Sequence, residues 1–384
     1  MYCNIKLLAL LNFFMDFKLY GGILILYFVR ITGSYGLAMT LFSIVSLSNA
    51  CFEVPTGIFS DLIGRKKTVL YGAFFATLSA IFYALGGSFW ILGVGAFCEG
   101  ISRSWYSGNN EAFLHDSLNQ SGNKERFAEF LGKTSAMFQL ALMVSAVIGS
   151  ILANWSFPLI MWLSVIPQAL CFFIALFLKN PDRLTPGQSN IFSHFKISVF
   201  HLWNNRKLRL LSLQSILSYG IGESSFNFGA VFINTIWPLW AIGFSKMISY
   251  GGATLSYWFS GKIIKKFGAI NILIIANIYT RIANFIAYGK PTIISPVLMA
   301  SSSVFYGATE VSKKTLMQKE YTQEQRATLE STNALFGNIF YALFSPLLGL
   351  IADHYSPAIA LLFVQFCMLS VLYINFKLKK METR

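Results

Sequence analysis

Charged residues are scarce in this sequence of 384 residues. Asp, Glu, Lys and Arg make up 12% of the chain, whereas apolar residues make up 55%. A soluble domain carries about twice that charged fraction, so the composition excludes a water-soluble globular protein. Apolar runs of about 20 residues recur along the whole length, which is enough for a helix to cross the hydrocarbon core of a bilayer. The sequence therefore predicts an all-α polytopic membrane protein.

Acidic residues are scarcer than basic ones, 16 against 30, which gives a formal net charge of +14. Most of the Lys and Arg residues lie in one alternate set of the loops between the apolar runs. Such asymmetry is the positive-inside pattern of membrane proteins. The excess charge therefore orients the chain and is not a nucleic-acid footprint. We expect a multi-pass protein of the bacterial inner membrane with both termini in the cytoplasm.

Motifs of enzymes and metal sites are missing as well. The five cysteines show neither metal-type spacing nor a disulfide framework. The sequence contains no HExxH motif, no nucleophile elbow and no Walker loop. We therefore expect no enzymatic activity, no metal ion and no cofactor.

What is present is a series of twelve apolar spans. The stretch 179–208 is polar and basic, and it separates the spans into two sets of six. Its apolar residues recur at helical spacing, which predicts an amphipathic helix on the cytoplasmic membrane surface. The predicted organisation is an N-terminal six-helix bundle (1–178), a linker (179–208) and a C-terminal six-helix bundle (209–384). The predicted spans are 5–29, 36–58, 69–87, 90–112, 130–153, 157–178, 209–231, 243–262, 269–289, 292–312, 327–352 and 358–377.

An internal repeat relates the two sets of spans. Three residues after the second span recur after the eighth, all at the same offset, with one change of residue type: Gly57, Asp61 and Gly64 become Gly261, Lys265 and Gly268. A second echo at nearly the same offset joins two further sets: Gly108, Glu111 and Arg126 with Gly307, Glu310 and Arg326. Such repeats predict duplicated, pseudosymmetric halves, as in secondary transporters.

The loop after the second span has a chemistry suited to a gate. Gly57 and Gly64 allow close helix approach and a tight turn. Asp61 can accept charge-assisted hydrogen bonds from basic neighbours such as Arg65 and Lys66, or from an exposed helix N-terminus. We expect these five residues to form a gating loop on the cytoplasmic side.

The same loop, with its Gly-Arg-Lys sequence at 64–66, resembles the signature loop of the major facilitator superfamily. The segments 53–56 (Glu-Val-Pro-Thr) and 349–353 (Gly-Leu-Ile-Ala-Asp) look like a bacterial drug-efflux-like branch of that family. The resemblance implies two six-helix bundles that work by alternating access, as a monomer, on a small-molecule or peptide substrate. Two positions depart from the pattern of drug/proton antiporters: Ala96 stands where an Arg is frequent, and the fifth span lacks a Gly-Pro motif around Gly149.

Ionisable residues inside the spans are costly and usually mark a pathway. The candidate pathway residues among them are Asp16 in the first span, Glu99 and Arg103 in the fourth, Glu223 in the seventh and Glu310 in the tenth. Glu99 and Arg103 have the i, i+4 spacing of a helical ion pair. In the family that the chain resembles, these four helices line the central cavity, so the five residues are the candidate substrate and proton pathway. Lys18, on the opposite side of a continuous first helix from Asp16, is interpreted as structural.

The leading functional hypothesis is proton-coupled export of an amphiphilic, drug-like or peptide antibiotic solute, with Glu99 carrying the proton. Uptake of a siderophore-like or other polar metabolite by proton symport is the first alternative. A non-transporting membrane receptor is the second. No motif in the sequence fixes the substrate or the direction of transport.

Overall fold

The computed structural model describes residues 2–107, 109–120, 124–179, 205–321 and 326–382, and within these ranges the regular structure is helical, without a β-strand. The α-helices of the first half are α1 (Tyr2–Asp16), α2 (Leu24–Thr32), α3 (Tyr35–Ile63), α4 (Arg65–Leu85), α5 (Phe89–Tyr106), α6 (Asn109–Gln120), α7 (Phe127–Ala153) and α8 (Phe157–Phe177). Those of the second half are α9 (Arg206–Asn234), α10 (Ile242–Phe267), α11 (Ala269–Gly289), α12 (Ser295–Ser301), α13 (Tyr306–Glu320), α14 (Arg326–His354) and α15 (Pro357–Glu382).

Six of these helices are long and apolar enough to cross a membrane: Tyr35–Glu53, Arg65–Leu85, Phe157–Phe177, Ala269–Gly289, Leu329–His354 and Pro357–Glu382. Large apolar side chains such as Trp90, Trp258 and Leu343 are exposed on the helix surfaces. In water these side chains would be unfavourable, whereas lipid tails are as apolar as they are. The all-α polytopic class follows from these two observations.

The chain divides into two compact units. Unit 1 comprises Met1–Gly33, Leu41–Gly187 and Leu239–Met247, and unit 2 comprises Ser34–Thr40, Gln188–Pro238 and Ile248–Arg384. Each unit thus includes one short segment from the other half of the sequence. The division into 1–178 and 209–384 stays a prediction, and most of the predicted amphipathic linker, residues 180–204, lies outside the described residues.

Each unit has an apolar core of its own. In unit 1, Leu8 of α1, Val69 of α4, Phe113 of α6 and Cys171 of α8 pack together. In unit 2 the core joins α9, α11, α13, α14 and α15 through Leu211, Leu273, Leu316, Leu329 and Ile374. These cores fix the helices that carry the polar residues discussed below.

The prediction of one continuous first helix over 5–29 is wrong. Helix α1 ends at Asp16 and α2 begins only at Leu24. The predicted fourth and tenth spans are interrupted as well, the fourth between Tyr106 and Asn109 and the tenth by a 3-10 turn at Ser302–Phe305. A hydropathy pattern averaged over a whole span does not detect such breaks, because they are short and long apolar runs flank them.

The repeat detected in the sequence appears in the backbone. Gly64 immediately precedes α4 with φ 96° and ψ 150°, and Gly268 precedes α11 with φ 80° and ψ 145°. Only glycine adopts this conformation at little cost. The two helices that follow are both 21 residues long. The break after α1 has no counterpart, because α9 runs without interruption from Arg206 to Asn234.

Candidate functional site

The break in the first span is the structural origin of the site. After α1 the chain turns, with Lys18 N donating to Asp16 O at 2.8 Å and Gly21 N donating to Lys18 O at 2.9 Å. Gly21 and Gly22 follow directly, and glycine lowers the stability of a continuing helix. The local sequence therefore favours a turn where the apolar pattern alone predicts helix.

Polar side chains of α8 bind the backbone on both sides of this break. Ser164 Oγ accepts a hydrogen bond from Leu19 N at 3.0 Å. Gln168 Nε2 donates to Phe14 O at 3.1 Å and to Met15 O at 3.2 Å. A buried backbone group without a hydrogen-bond partner is costly. By binding such groups, Ser164 and Gln168 stabilise the broken conformation inside an apolar unit.

Glu99 is the centre of a charge cluster in unit 1. Its Oε1 accepts from Arg103 Nη2 at 2.9 Å and from Lys18 Nζ at 3.3 Å, and its Oε2 accepts from Tyr83 OH at 2.9 Å. The Glu99 side chain is only 7% exposed. Charge-assisted hydrogen bonds of this kind are about twice as strong as neutral ones, so Glu99 is held in one position as an anion.

Lys18 therefore lies in this cluster, and the expectation that it lies on the opposite side of a continuous helix from Asp16 is wrong, whereas its interpretation as a structural residue stays a prediction. That expectation assumed an unbroken helix through residue 18. The turn after Asp16 releases Lys18 from helical geometry and directs its ammonium group to Glu99. The adjacent Gly21 and Gly22 are the sequence signal from which this could have been found. No comparable feature of the sequence indicated that Tyr83 contacts Glu99.

Asp16 lies at the C-terminal end of α1 and interacts electrostatically with Lys18, Arg103 and Glu99. Its Oδ2 atom is buried, and among the described residues it has no hydrogen-bond partner. A buried carboxylate oxygen without a donor is costly, and a proton or a ligand donor relieves that cost. The two acidic groups of the cluster, Asp16 and Glu99, thus have different surroundings.

Arg103 is the part of the cluster that a ligand can reach. Its side chain is 59% exposed although it pairs with Glu99. A guanidinium has five N–H donors in a planar fork, a geometry that matches a carboxylate or phosphate group.

The other two predicted pathway residues lie in unit 2. Glu310 of α13 accepts a hydrogen bond from Lys313 Nζ at 2.6 Å. Glu223 lies, partly buried, on α9. The structure thus brings Asp16, Glu99 and Arg103 together in one unit and assigns Glu223 and Glu310 to the other.

Residues of the predicted gating loop bind other parts of unit 1. Arg65 Nη1 donates to Ser60 Oγ and to Asn109 Oδ1, both at 2.9 Å. Lys66 Nζ donates to Leu176 O, in the last turn of α8, at 2.8 Å. Gly57 has open space beside it, whereas Gly64 supplies the backbone turn before α4. The side chain of Asp61 lies outside the described part of the chain.

A family model described as Major Facilitator Superfamily matches residues 7–338. The chain belongs to the major facilitator superfamily. This membership establishes a membrane transporter of that type and indicates a role in transport instead of enzymatic catalysis.

Curated relatives match only part of the chain. An uncharacterized transporter of Buchnera aphidicola subsp. Acyrthosiphon pisum (strain APS) is 30% identical over 181 residues, which is 46% of this chain and 43% of that protein. The uncharacterized MFS-type transporter YxaM of Bacillus subtilis (strain 168) is 23% identical over 176 residues, 44% of this chain and 43% of that protein. The chain thus matches less than half the length of these relatives.

Solved structures match the whole fold. The nucleoside transporter NupG aligns with a TM-score of 0.81 and 15% identity, covering 98% of this chain and 99% of NupG. A POT family transporter in complex with a thioalcohol-conjugated peptide aligns with a TM-score of 0.77 and 14% identity, covering 99% and 96% of the two chains. At these identities the likeness establishes the fold alone.

Proposed function

We propose that the protein is a twelve-span secondary active transporter that works by alternating access. The count treats α1 with α2 as one broken span, α5 with α6 as another, and α12 through α13 as a third. Each of the remaining long helices is one span. Transporters of this kind use discontinuous helices where they bind substrates and ions, and the break after α1 supports the proposal. The protein acts as a monomer in the bacterial inner membrane, with both termini in the cytoplasm.

The observation that carries this proposal is the Glu99 cluster. Lys18 and Glu99 are 21% and 7% exposed within an apolar unit. Ion pairs buried at such sites contribute little to stability compared with apolar packing, so stability alone is a weak reason to place one there. Recognition of a polar solute in the membrane requires such groups.

The substrate class follows from the cluster and its surroundings. The guanidinium of Arg103 is largely exposed and has the geometry to bind a carboxylate, and the Asp16 carboxylate can accept a donor such as an ammonium group. Aromatic rings line the same segment, for example Phe13 and Phe17, which stack at 5.4 Å. A small amphiphile with both charges, such as a drug-like or peptide antibiotic solute, fits these groups.

We propose export as the direction and protons as the coupling ion. Export is supported by the segments 53–56 and 349–353, which look like a drug-efflux-like branch. Proton coupling is supported by Asp16, whose buried Oδ2 receives no hydrogen bond from the part of the chain that the structure describes. Glu99, in contrast, already accepts three hydrogen bonds. Asp16 is therefore a better proton carrier than Glu99.

A toxicity panel tests the direction. An overexpressing strain and a deletion strain are exposed to amphiphilic antibiotics and to zwitterionic peptides. Greater resistance on overexpression supports export. Greater sensitivity on overexpression contradicts export and supports uptake. Unchanged growth combined with ligand-triggered signalling contradicts transport and supports a receptor.

Proteoliposomes test the coupling. With a substrate identified by the panel, the wild type should accumulate it against its gradient when a pH gradient is applied. Asp16→Asn should lose this accumulation but retain counterflow exchange, because exchange needs binding without net proton movement. Accumulation by Asp16→Asn at the wild-type rate would contradict the assignment of Asp16.

Uptake by proton symport is the second candidate, and one observation favours it. The fifth span lacks the Gly-Pro motif of antiporters. At Gly149 the structure has a close approach to Leu19 instead, where a Cβ would overlap Leu19 O. This contact joins α7 to the broken segment. If overexpression rescues growth on a limiting nutrient in the same panel and does not increase resistance, the result supports uptake by symport.

A further inference from the structure

Arg281 is a buried cation that has no ion-pair partner among the described residues. It lies on α11 in unit 2 and is 7% exposed, and no other arginine among the described residues is buried so deeply. Its Nε and Nη1 atoms have no hydrogen-bond partner among those residues. Arginine remains charged in proteins. An isolated charge in an apolar interior is costly unless an ion or a ligand compensates it.

The surroundings of Arg281 are polar along one stripe of α11. Asn277, Arg281, Asn284 and Tyr288 follow each other at helical spacing, so their side chains share one face. Asn277 Oδ1 and Asn284 Oδ1 are also buried without partners among the described residues. Asn284 Nδ2 donates to Gln365 Oε1 of α15 at 3.4 Å.

Two neighbouring helices contact this stripe. Gln365 on α15 forms one wall through its bond to Asn284. At the far end of the stripe, the ring of Tyr288 packs edge-on against Phe232 of α9 at 5.0 Å. Arg281 thus lies on α11 one turn before Asn284, which bonds to α15, and two turns before Tyr288, which packs on α9, and its own side chain is buried.

We propose that Arg281 is the centre of a binding site for a small inorganic anion of the size of chloride. Arg281 supplies the charge, and the Asn277 amide, whose oxygen has no partner, can turn over to present its NH₂ group as a second donor. A buried water molecule would satisfy hydrogen bonds but would leave the charge of Arg281 uncompensated. An anion satisfies both requirements.

Thermal unfolding of the full-length protein in detergent tests the site. Sodium gluconate is exchanged stepwise for sodium chloride or bromide at constant ionic strength. A ligand that binds the folded state alone raises the Tm with its concentration. We expect the Tm of the wild type to rise and saturate with either halide, and we expect Arg281→Gln to lose this dependence. Arg30→Gln is the matched control, since Arg30 is exposed, and it should respond like the wild type.

A second measurement keeps the test decisive where Arg281→Gln folds poorly. Bromide soaked into crystals of the wild type should give an anomalous peak beside the Arg281 guanidinium. Halide-independent Tm values together with no peak would overturn the proposal, as would an equal halide response of the wild type and Arg281→Gln. Either result would mean that the amides of α11 and water alone satisfy Arg281.

Discussion

Glu99 combines three donors that come from different parts of unit 1. Arg103 follows it on α5, Tyr83 belongs to α4, and Lys18 lies in the turn after α1. Removing the negative charge leaves the partly buried Lys18 and the largely exposed Arg103 close together, where the two cations repel each other. In the proposed function, Glu99 therefore positions Arg103, the cation proposed to face the substrate, and it also links the turn after α1 to α5.

We expect Glu99→Gln to abolish substrate transport and to destabilise unit 1. Breaking a buried ion pair by removing one partner costs about 3–5 kcal/mol. Binding of substrate to proteoliposomes, counterflow and Tm should therefore all fall together. Glu382→Gln, which alters a partly exposed ion pair with Lys207 at 3.9 Å, is the control and should leave all three unchanged. Full counterflow by Glu99→Gln would contradict the positioning role.

The sequence reveals only the local part of this cluster. The Glu99–Arg103 contact was predicted from i, i+4 spacing, and such spacing acts within one helix. Lys18 lies 81 positions from Glu99 and Tyr83 lies 16 positions away. Contacts between residues so far apart in the sequence depend on how the helices pack against each other. A pattern of residues along the sequence carries no information on that packing. The roles of all these residues in transport stay predictions.

At the scale of elements, the break in the first span depends on α8. The turn leaves backbone groups inside the unit, and Gln168, which is fully buried, binds two of them. The break is thus a property of two helices together. For the same reason the sequence predicted α11 at 269–289 with its observed bounds but predicted the first span as continuous.

We expect Gln168→Leu to destabilise the protein by about 1–3 kcal/mol, because the carbonyl groups of Phe14 and Met15 lose a buried donor. Transport should fall more than stability does, since Lys18 follows this segment. Tm and proteoliposome flux measure the two effects. Gln318→Leu is the control, because Gln318 on α13 is exposed. Wild-type flux in Gln168→Leu would show that the break forms without α8.

Helix α5 offers a matched pair of glycines. A Cβ at Gly100 would overlap Ser48 Oγ and Val45 O of α3, whereas a Cβ at Gly93 would meet Ile44 Cδ1 at 3.8 Å. We expect Gly100→Ala to separate α3 from α5 and to lower the Tm and the folded yield. Gly93→Ala should be neutral or stabilising by up to about 1 kcal/mol, because alanine favours helix. Equal effects of the two substitutions would contradict the packing of α3 on α5.

At the scale of the whole molecule, α3 belongs to both units. Its first residues lie in unit 2 and the rest of the helix lies in unit 1. In unit 2, Asp353 accepts from Ser34 Oγ at 2.6 Å, from Tyr35 N at 2.7 Å and from Gly36 N at 2.9 Å. A carboxylate at a helix N-terminus binds free N–H groups and the positive end of the helix dipole. Asp353 therefore fixes the start of α3 within unit 2, and we propose that alternating access releases this contact.

We expect Asp353→Asn to favour the state in which the start of α3 is released. Asparagine retains the shape of the side chain but loses the charge that makes these hydrogen bonds strong. Met39, fully buried near this contact, accepts from Ser345 Oγ through its carbonyl at 3.2 Å. In a cysteine-free background, Met39→Cys should react slowly with an impermeant maleimide added outside the cell. Adding Asp353→Asn should raise that rate several-fold, and adding Glu382→Gln should not. An unchanged rate in the Asp353→Asn background would mean that other contacts hold α3 in unit 2 and that Asp353 is not the group released during transport.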